Sequence, residues 1–286
     1  MSTSARVSAW LLIGLCALGG CEPSAPPPTR AAVVPDTAPT GKPAIDDAQA
    51  LALLAARLGP AARLQGAWAG ATPGASASVC ADDSIDMADQ ALRMLAVCTT
   101  LRVDDVTAGG QIDLFAFGLR DGRPVVVAES RGLRHGIKGD PGHVKLVCIG
   151  RARYAFDVSH ARFDDEGEVQ QRTWYALHGD RFNATMTVPV RYASDGRAWC
   201  RYAETTTCEG ATTELAYDLR IDARDADADA YPVTITVRGT RCDQTIAETT
   251  HALAFDPATS THVVPQALRI PAGDCRSDAP SSSEQD

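Results

Sequence analysis

The chain predicts a mainly β fold, an antiparallel sheet or sandwich with a short N-terminal helix. Three observations predict it. Several segments alternate apolar and polar residues with a period of two, which places one face on a core and the other in water. Turn dipeptides punctuate these segments. A single stretch near the start carries helix signals.

The helix is expected over residues 46–58. Asp46 with Gln49 three residues on forms a capping-box pattern. Leu51, Leu54 and Leu58 fall on one helical face, Arg57 lies in the last turn, and Gly59-Pro60 end the element. Residues 85–97 are open to two readings. Ile85, Ala88, Leu92 and Leu95 have helical spacing, while 94–103 suits a strand. Beyond residue 94 the alternation repeats. Tyr154, Phe156 and Val158 form one set, and Met186, Val188, Val190 and Tyr192 a second. Leu215, Tyr217, Leu219 and Ile221 form a third, and Tyr231, Val233, Ile235 and Val237 a fourth. Hairpin turns are expected at Asp121-Gly122, Gly179-Asp180 and Asp195-Gly196. Pro189 and Pro232 fall on the polar phase, which favours edge strands. No internal repeat of useful period is present.

The start of the chain reads differently. Arg6 is followed by the apolar run 7–18, then Gly19, Gly20 and Cys21. A charged start, a short apolar core and small residues before a cleavage point make an export signal. The run is too short to span a bilayer as a mature helix. Leu18-Gly19-Gly20-Cys21 resembles the lipobox of bacterial lipoproteins. That resemblance covers only the first twenty-odd residues. It implies cleavage before Cys21, thioether lipidation of its sulfur and acylation of the new amino terminus. Cys16 follows Ile13-Gly14-Leu15, a poorer match with no polar linker after it. A single acyl chain holds a protein only marginally, so stable anchoring takes two or three. In the family pattern an Asp after the lipidated cysteine favours retention in the inner membrane. Glu22 stands there, which points to the outer membrane, facing the periplasm or the cell surface.

The expected organisation is therefore a signal over 1–20, a lipidated Cys21 with a Pro/Ala-rich tether over 21–43, a β-rich domain over 44–276 with room for two subdomains, and a polar tail over 277–286. An extended tether at about 3.1 Å per residue would reach roughly 70 Å from the membrane. The chain has 286 residues and a net charge of −9. That balance makes binding to a nucleic-acid backbone a poor expectation.

Seven cysteines follow Cys21. An exported chain meets an oxidising compartment, so bridges are expected. The expected pairs are Cys200–Cys208, Cys242–Cys275 and Cys80–Cys98. Seven is odd, which leaves one thiol over; Cys148, inside the apolar run 144–149, is the candidate. No CxxC motif supports a redox site or a zinc ribbon.

Catalytic motifs are missing: no GxSxG elbow, HExxH, Walker loop or SxxK occurs. This weighs against an enzyme without excluding a site assembled from distant segments. Between residues 120 and 153 eight Lys or Arg stand against three acids. Within that span, Arg131, Arg134, His135 and Lys138 form a glycine-interleaved stretch. Arg forks and open backbone N–H groups suit phosphate or carboxylate, so these four residues are the candidate ligand-binding set; the bland reading is a solvated loop. His160 continues the apolar phase of its strand and sits either in a core or at a pocket. Trp174 and Tyr175 point to opposite faces, one of which could stack a sugar. Asp225, Asp227 and Asp229 have the first spacing of a calcium loop but lack its Gly and final Glu, and read as an acidic loop. No metal or cofactor is expected.

The functional expectation is a lipid-anchored envelope module that binds or scaffolds an envelope protein, a glycan or an anionic ligand. Two alternatives stand beside it: an envelope hydrolase acting on glycan or peptide, and an inhibitor or regulator of an envelope enzyme.

Overall fold

In a computed structural model, residues 45–87, 90–163, 167–194 and 212–269 are described. They form one helix, α1 (Asp47–Leu58), and two antiparallel sheets. The first sheet has five strands in chain order: β1 (Trp68–Ala69), β2 (Ser76–Met87), β3 (Gln90–Thr100), β4 (Gly110–Arg120) and β5 (Arg123–His135). The second begins with β6 (His143–Gly150), β7 (Arg153–Phe163), β8 (Glu168–His178) and β9 (Arg181–Ser194). It continues through β10 (Thr213–Ile221), β11 (Val233–Arg241), β13 (Thr249–Asp256) and β14 (Thr261–Val263), with β12 (Gln244–Thr245) paired to β11. The mainly β expectation with one short helix holds.

The helix is capped as its sequence predicts. The Asp46 carboxylate accepts from Gln49 N at 2.8 Å, and the Gln49 side chain accepts from Asp46 N at 3.0 Å. Its buried face differs from the expected one. Ala50 and Leu54 are fully buried, whereas Leu51 is 38% exposed. The sheet beneath has room for a small residue at position 50, and the stripe has turned towards it. Residues 85–97 resolve into the end of β2 and most of β3, a hairpin instead of a helix. Strand β3 pairs with β2 along its length and with β4 over 93–99, and that pairing outweighs helical spacing in a short apolar run.

Alternation undercounts the core, because three layers bury both faces of the five-stranded sheet. On one face Ile45, Ala50 and Leu54 meet Leu95, Val97, Phe115 and Phe117. On the other, Ile85, Leu92, Met94, Ile112 and Leu114 pack against Val144, Phe156, Val158 and Phe182 of the second sheet. The Phe156 and Phe182 rings meet edge to face with centroids 5.3 Å apart. Strands β3 and β4 are consequently each buried over seven consecutive residues, 92–98 and 112–118. The reverse face of the second sheet holds a separate core built on Trp174, Met186, Val188, Leu215, Val233 and Ile235. That sheet curls over this core. His262 of β14 comes back against Trp174 of β8, ring centroids 5.6 Å apart. The 222–232 loop bonds to the β6–β7 turn through Tyr231 N to Ile149 O and Arg151 N to Ala228 O.

Asp121-Gly122 and Gly179-Asp180 make the expected hairpin turns. Asp195-Gly196 lies outside the described residues. Pro189 stands in β9, flanked by β8 and β10, and not in an edge strand. The missing N–H is tolerated because β10 pairs only with residues 191–194, and the β8 register shifts beside Pro189. Pro232 directly precedes β11, a position where no ladder bond is lost. Cys80 and Cys98 form a disulfide across β2 and β3. Cys242 is disulfide-bonded, and Cys148 is a free, half-buried thiol. Cys200, Cys208 and Cys275 lie outside the described residues, as do Cys21, the tether and the tail.

Candidate functional site

The candidate basic loop is not a loop. Arg131, Arg134 and His135 belong to β5, and only 136–142 form the turn into β6. Strand β5 pairs with β4 through Ile112–Leu133, Gln111–Arg134 and Gly110–His135. Pairing sets the direction of each side chain. His135 takes the phase of Leu133 and Ile112, which faces the second sheet. Arg134 takes the phase of Gln111, on the face that carries α1. A bulge at Gly132 places Arg131 and Gly132 opposite buried Asp113, whose carboxylate accepts from Gly132 N at 2.7 Å. Gly132 has φ +73° there. The four predicted residues are therefore divided: Arg131, Arg134 and Lys138 are exposed, and His135 is turned inward.

His135 meets a cluster that spans the two sheets. Its Nδ1 lies 2.9 Å from His160 Nε2 on β7, and its Nε2 lies 2.8 Å from the Tyr175 hydroxyl on β8. Gln171, opposite His160 in the β7–β8 register, brings its Nε2 to 3.1 Å from His160 Nε2. Arg162 Nε donates to Gln171 Oε1 at 3.0 Å. That bond orients the carboxamide, so Gln171 presents N–H to His160 Nε2, which accepts. In the tautomers that agree with this bond, the remaining protons stand as follows. His160 carries its proton on Nδ1, donating to Ala161 O at 3.3 Å. His135 donates from Nδ1 to His160, and its Nε2 accepts the Tyr175 proton. The Gly136 N–H, 3.3 Å from His160 Nδ1, opposes this tautomer and is the weakest fit in the cluster.

Both imidazoles are neutral. Burial, with His160 adding to it, pushes His135 down to about 4. Burial lowers His160 as well; Arg162 adds to the shift and the Ala161 bond opposes it. Burial raises Tyr175. Perturbed groups in one place are a mark of functional sites, although structural networks share it. Here the ring nitrogens are already engaged with one another, so the cluster first of all joins β5 to β7 and β8.

The turn is shaped to close over this cluster. Gly136 has φ +80°, and a Cβ there would lie 1.8 Å from Asp140 O. Gly142 has φ +89°, and its Cβ would lie 2.3 Å from Ser159 O and 2.8 Å from His160 Cβ. Neither position admits a side chain without moving backbone.

The remaining candidates resolve otherwise. Trp174 is fully buried and Tyr175 is bound to His135, so neither offers a stacking platform. The Trp174 Nε1 and both His262 nitrogens have no hydrogen-bond partner among the described residues. His262 instead makes edge contacts with Trp174 and Phe255, and Arg153 lies 4.6 Å over the Phe255 ring. Asp225, Asp227 and Asp229 are exposed in the 222–232 loop, and Arg151 reaches Asp227 at 3.8 Å. No group of three or more acidic, His or Cys residues is arranged to hold a metal among the described residues. The pairing of His135 with His160 was missed from sequence, yet a signal existed. Leu133 and His135 alternate with Arg134, as Val158 and His160 do with Ser159. No family model matches the chain, and neither a curated protein nor a solved structure matches it.

Proposed function

We propose that this chain is a lipid-anchored envelope protein whose β-rich domain binds an anionic partner through the exposed end of β5, without itself catalysing a reaction. The observation that carries the reading is the cationic strand end. Arg131, Arg134 and Lys138 are exposed and make no ion pair among the described residues, in a chain whose net charge is −9. Arg57, Arg93, Arg172 and Arg191 are matched to carboxylates, while Arg102, Arg120 and Arg123 are, like Arg131 and Arg134, exposed with no ion pair among the described residues; what marks the β5 end is the grouping of three such cations between positions 131 and 138. Unmatched guanidinium forks are free to receive carboxylate or phosphate from outside. The resemblance of 18–21 to a lipobox supports the envelope location, and the Pro/Ala-rich residues after Cys21 support a spacer between lipid and domain. The engagement of His135 and His160 with each other supports binding over catalysis, because chemistry at those nitrogens would first have to break the contact between sheets.

Metabolic labelling with palmitate, followed by separation of inner and outer membranes, tests the anchoring. Label on the wild-type chain in the outer-membrane fraction, lost in Cys21→Ser, is expected. An unlabelled wild-type chain would discard the anchor.

A further inference from the structure

We propose that the His135–His160 contact is an acid-sensitive clasp that controls how the cationic end of β5 is held against the second sheet. This rests on the reading of that strand end as the binding surface, and adds its regulation.

The clasp joins two sheets at one point through short contacts, 2.9 Å between the imidazoles and 2.8 Å from His135 to Tyr175. Each contact needs a lone pair that a proton would occupy. A proton on His160 Nε2 would set an N–H against the Gln171 amide N–H, because Arg162 fixes the orientation of that carboxamide. His135 could answer by moving its own proton to Nε2 and reversing the Tyr175 hydroxyl, but the clash at Gln171 remains. A second proton would set two cations face to face, with ring centroids 4.4 Å apart.

The surroundings give the charged form little help. Arg162 on β7 is cationic and disfavours it, and Tyr175 on β8 is a neutral hydroxyl. Arg134 on β5 and Lys138 in the turn add further positive charge nearby along the chain. His143 on β6 pairs opposite Ser159 and is exposed. Asp140 in the turn is already accepting from Gly142 N at 2.8 Å, and Asp157, three residues before His160 on β7, is paired with Arg172. Protonation is therefore relieved by separation: His135 leaves His160 and the β5 end loosens around it, while Ser130 stays bonded to Phe182 and the turn stays bonded to Leu101, Val106 and Ala108. Arg131 and Arg134 lie on the strand that is released.

The test is hydrogen–deuterium exchange on the full-length protein in detergent, followed from pH 7 to pH 4.5 and corrected for intrinsic exchange. Opening of residues 130–136 is expected to rise by about tenfold per pH unit below 6 for each imidazole released. The His135→Gln/His160→Gln double variant is expected to show a flat profile. Equal pH profiles in the two proteins would overturn the clasp. If the double variant fails to fold, the wild-type histidine Cε1 proton resonances decide it. A His135 midpoint near 4 with the His160 midpoint depressed in the same direction supports the clasp, and ordinary midpoints near 6.5 for both rings overturn it. Photo-crosslinking from position 106, exposed and bonded through its carbonyl to Lys138 N, at pH 7 and pH 5 separates the two proposals. No captured partner at either pH, with the exchange step intact, sinks the binding reading alone. Capture with flat exchange sinks the clasp alone.

Discussion

At the scale of single residues, direction matters more than identity. Arg134 and His135 are neighbours, yet the strand sends one to solvent and the other into a contact between sheets. The buried imidazoles also tie stability to pH. An imidazole whose folded pKa lies below its unfolded value binds fewer protons when folded. Its stabilising contribution is complete above about 6.5 and is lost as pH falls through that value towards the folded one. For His135 the window runs down to about 4, and His160 and His262 act in the same direction. Denaturant titrations are expected to show stability falling from pH 7 to pH 4, with a shallower slope in His160→Gln. A slope unchanged by that substitution would remove His160 from the linkage.

The legibility of the sequence also divides at this scale. Leu133, Val158 and His160 could be placed on a common phase from alternation alone. The encounter of His135 with His160 could not, because their strands belong to different sheets and no pattern within either strand encodes which faces will meet. The bulge at Gly132 hid Arg131 in the same way: one extra residue breaks the period that the reading depends on.

At the scale of elements, local signals were the most faithful. The capping box at Asp46 and Gln49, the stop at Gly59 and the hairpin turns at Asp121-Gly122 and Gly179-Asp180 are all made by residues that touch within four positions. Asp46→Ala is expected to cost about 1 kcal/mol by thermal or chemical unfolding, through loss of the cap. The β2–β3 hairpin was less legible, because Ile85, Leu92 and Leu95 satisfy helical spacing and become strand only with β4 alongside. That hairpin is stapled by Cys80–Cys98, which closes a loop of 18 residues. Replacing both cysteines with serine is expected to lower stability by about 3 kcal/mol on the chain-entropy account. A loss well under 1 kcal/mol would mean that strand pairing alone fixes the hairpin.

At the scale of the whole molecule, the apolar pattern understated the interior. A period of two describes a sheet with one wet face, but α1 covers one side of the first sheet and the second sheet covers the other. Asp113 and Asp157 are consequently buried although they sit on phases that read as solvent-facing. Each is compensated, Asp113 by Gly132 N and Gln111, and Asp157 by Arg172. Phe156 is a fully buried member of the core between the two sheets, beside Phe182 of its own sheet. Phe156→Ala is expected to destabilise by about 3–5 kcal/mol through the cavity it leaves. It is also expected to raise exchange in β5, which is held to the second sheet by this packing, by the clasp and by the bonds of Glu129 N to Asp180 O and of Ser130 Oγ with the Phe182 backbone. Unchanged exchange in β5 would show that β4 and those bonds hold the strand without this packing.

We propose that an anchored domain presents the cationic end of β5 to an anionic envelope partner. Photo-crosslinking in living cells from position 106, exposed beside Lys138, with mass spectrometry of the adduct, puts this to the test. It would compare the wild-type chain, Arg131→Ala/Arg134→Ala and Cys21→Ser. The account predicts one dominant acidic or phosphate-bearing envelope adduct, lost in the double arginine variant although its stability stays within about 0.5 kcal/mol of wild type. It also predicts loss of the adduct when Cys21 cannot be lipidated. The same adduct at the same yield in all three proteins would contradict the account.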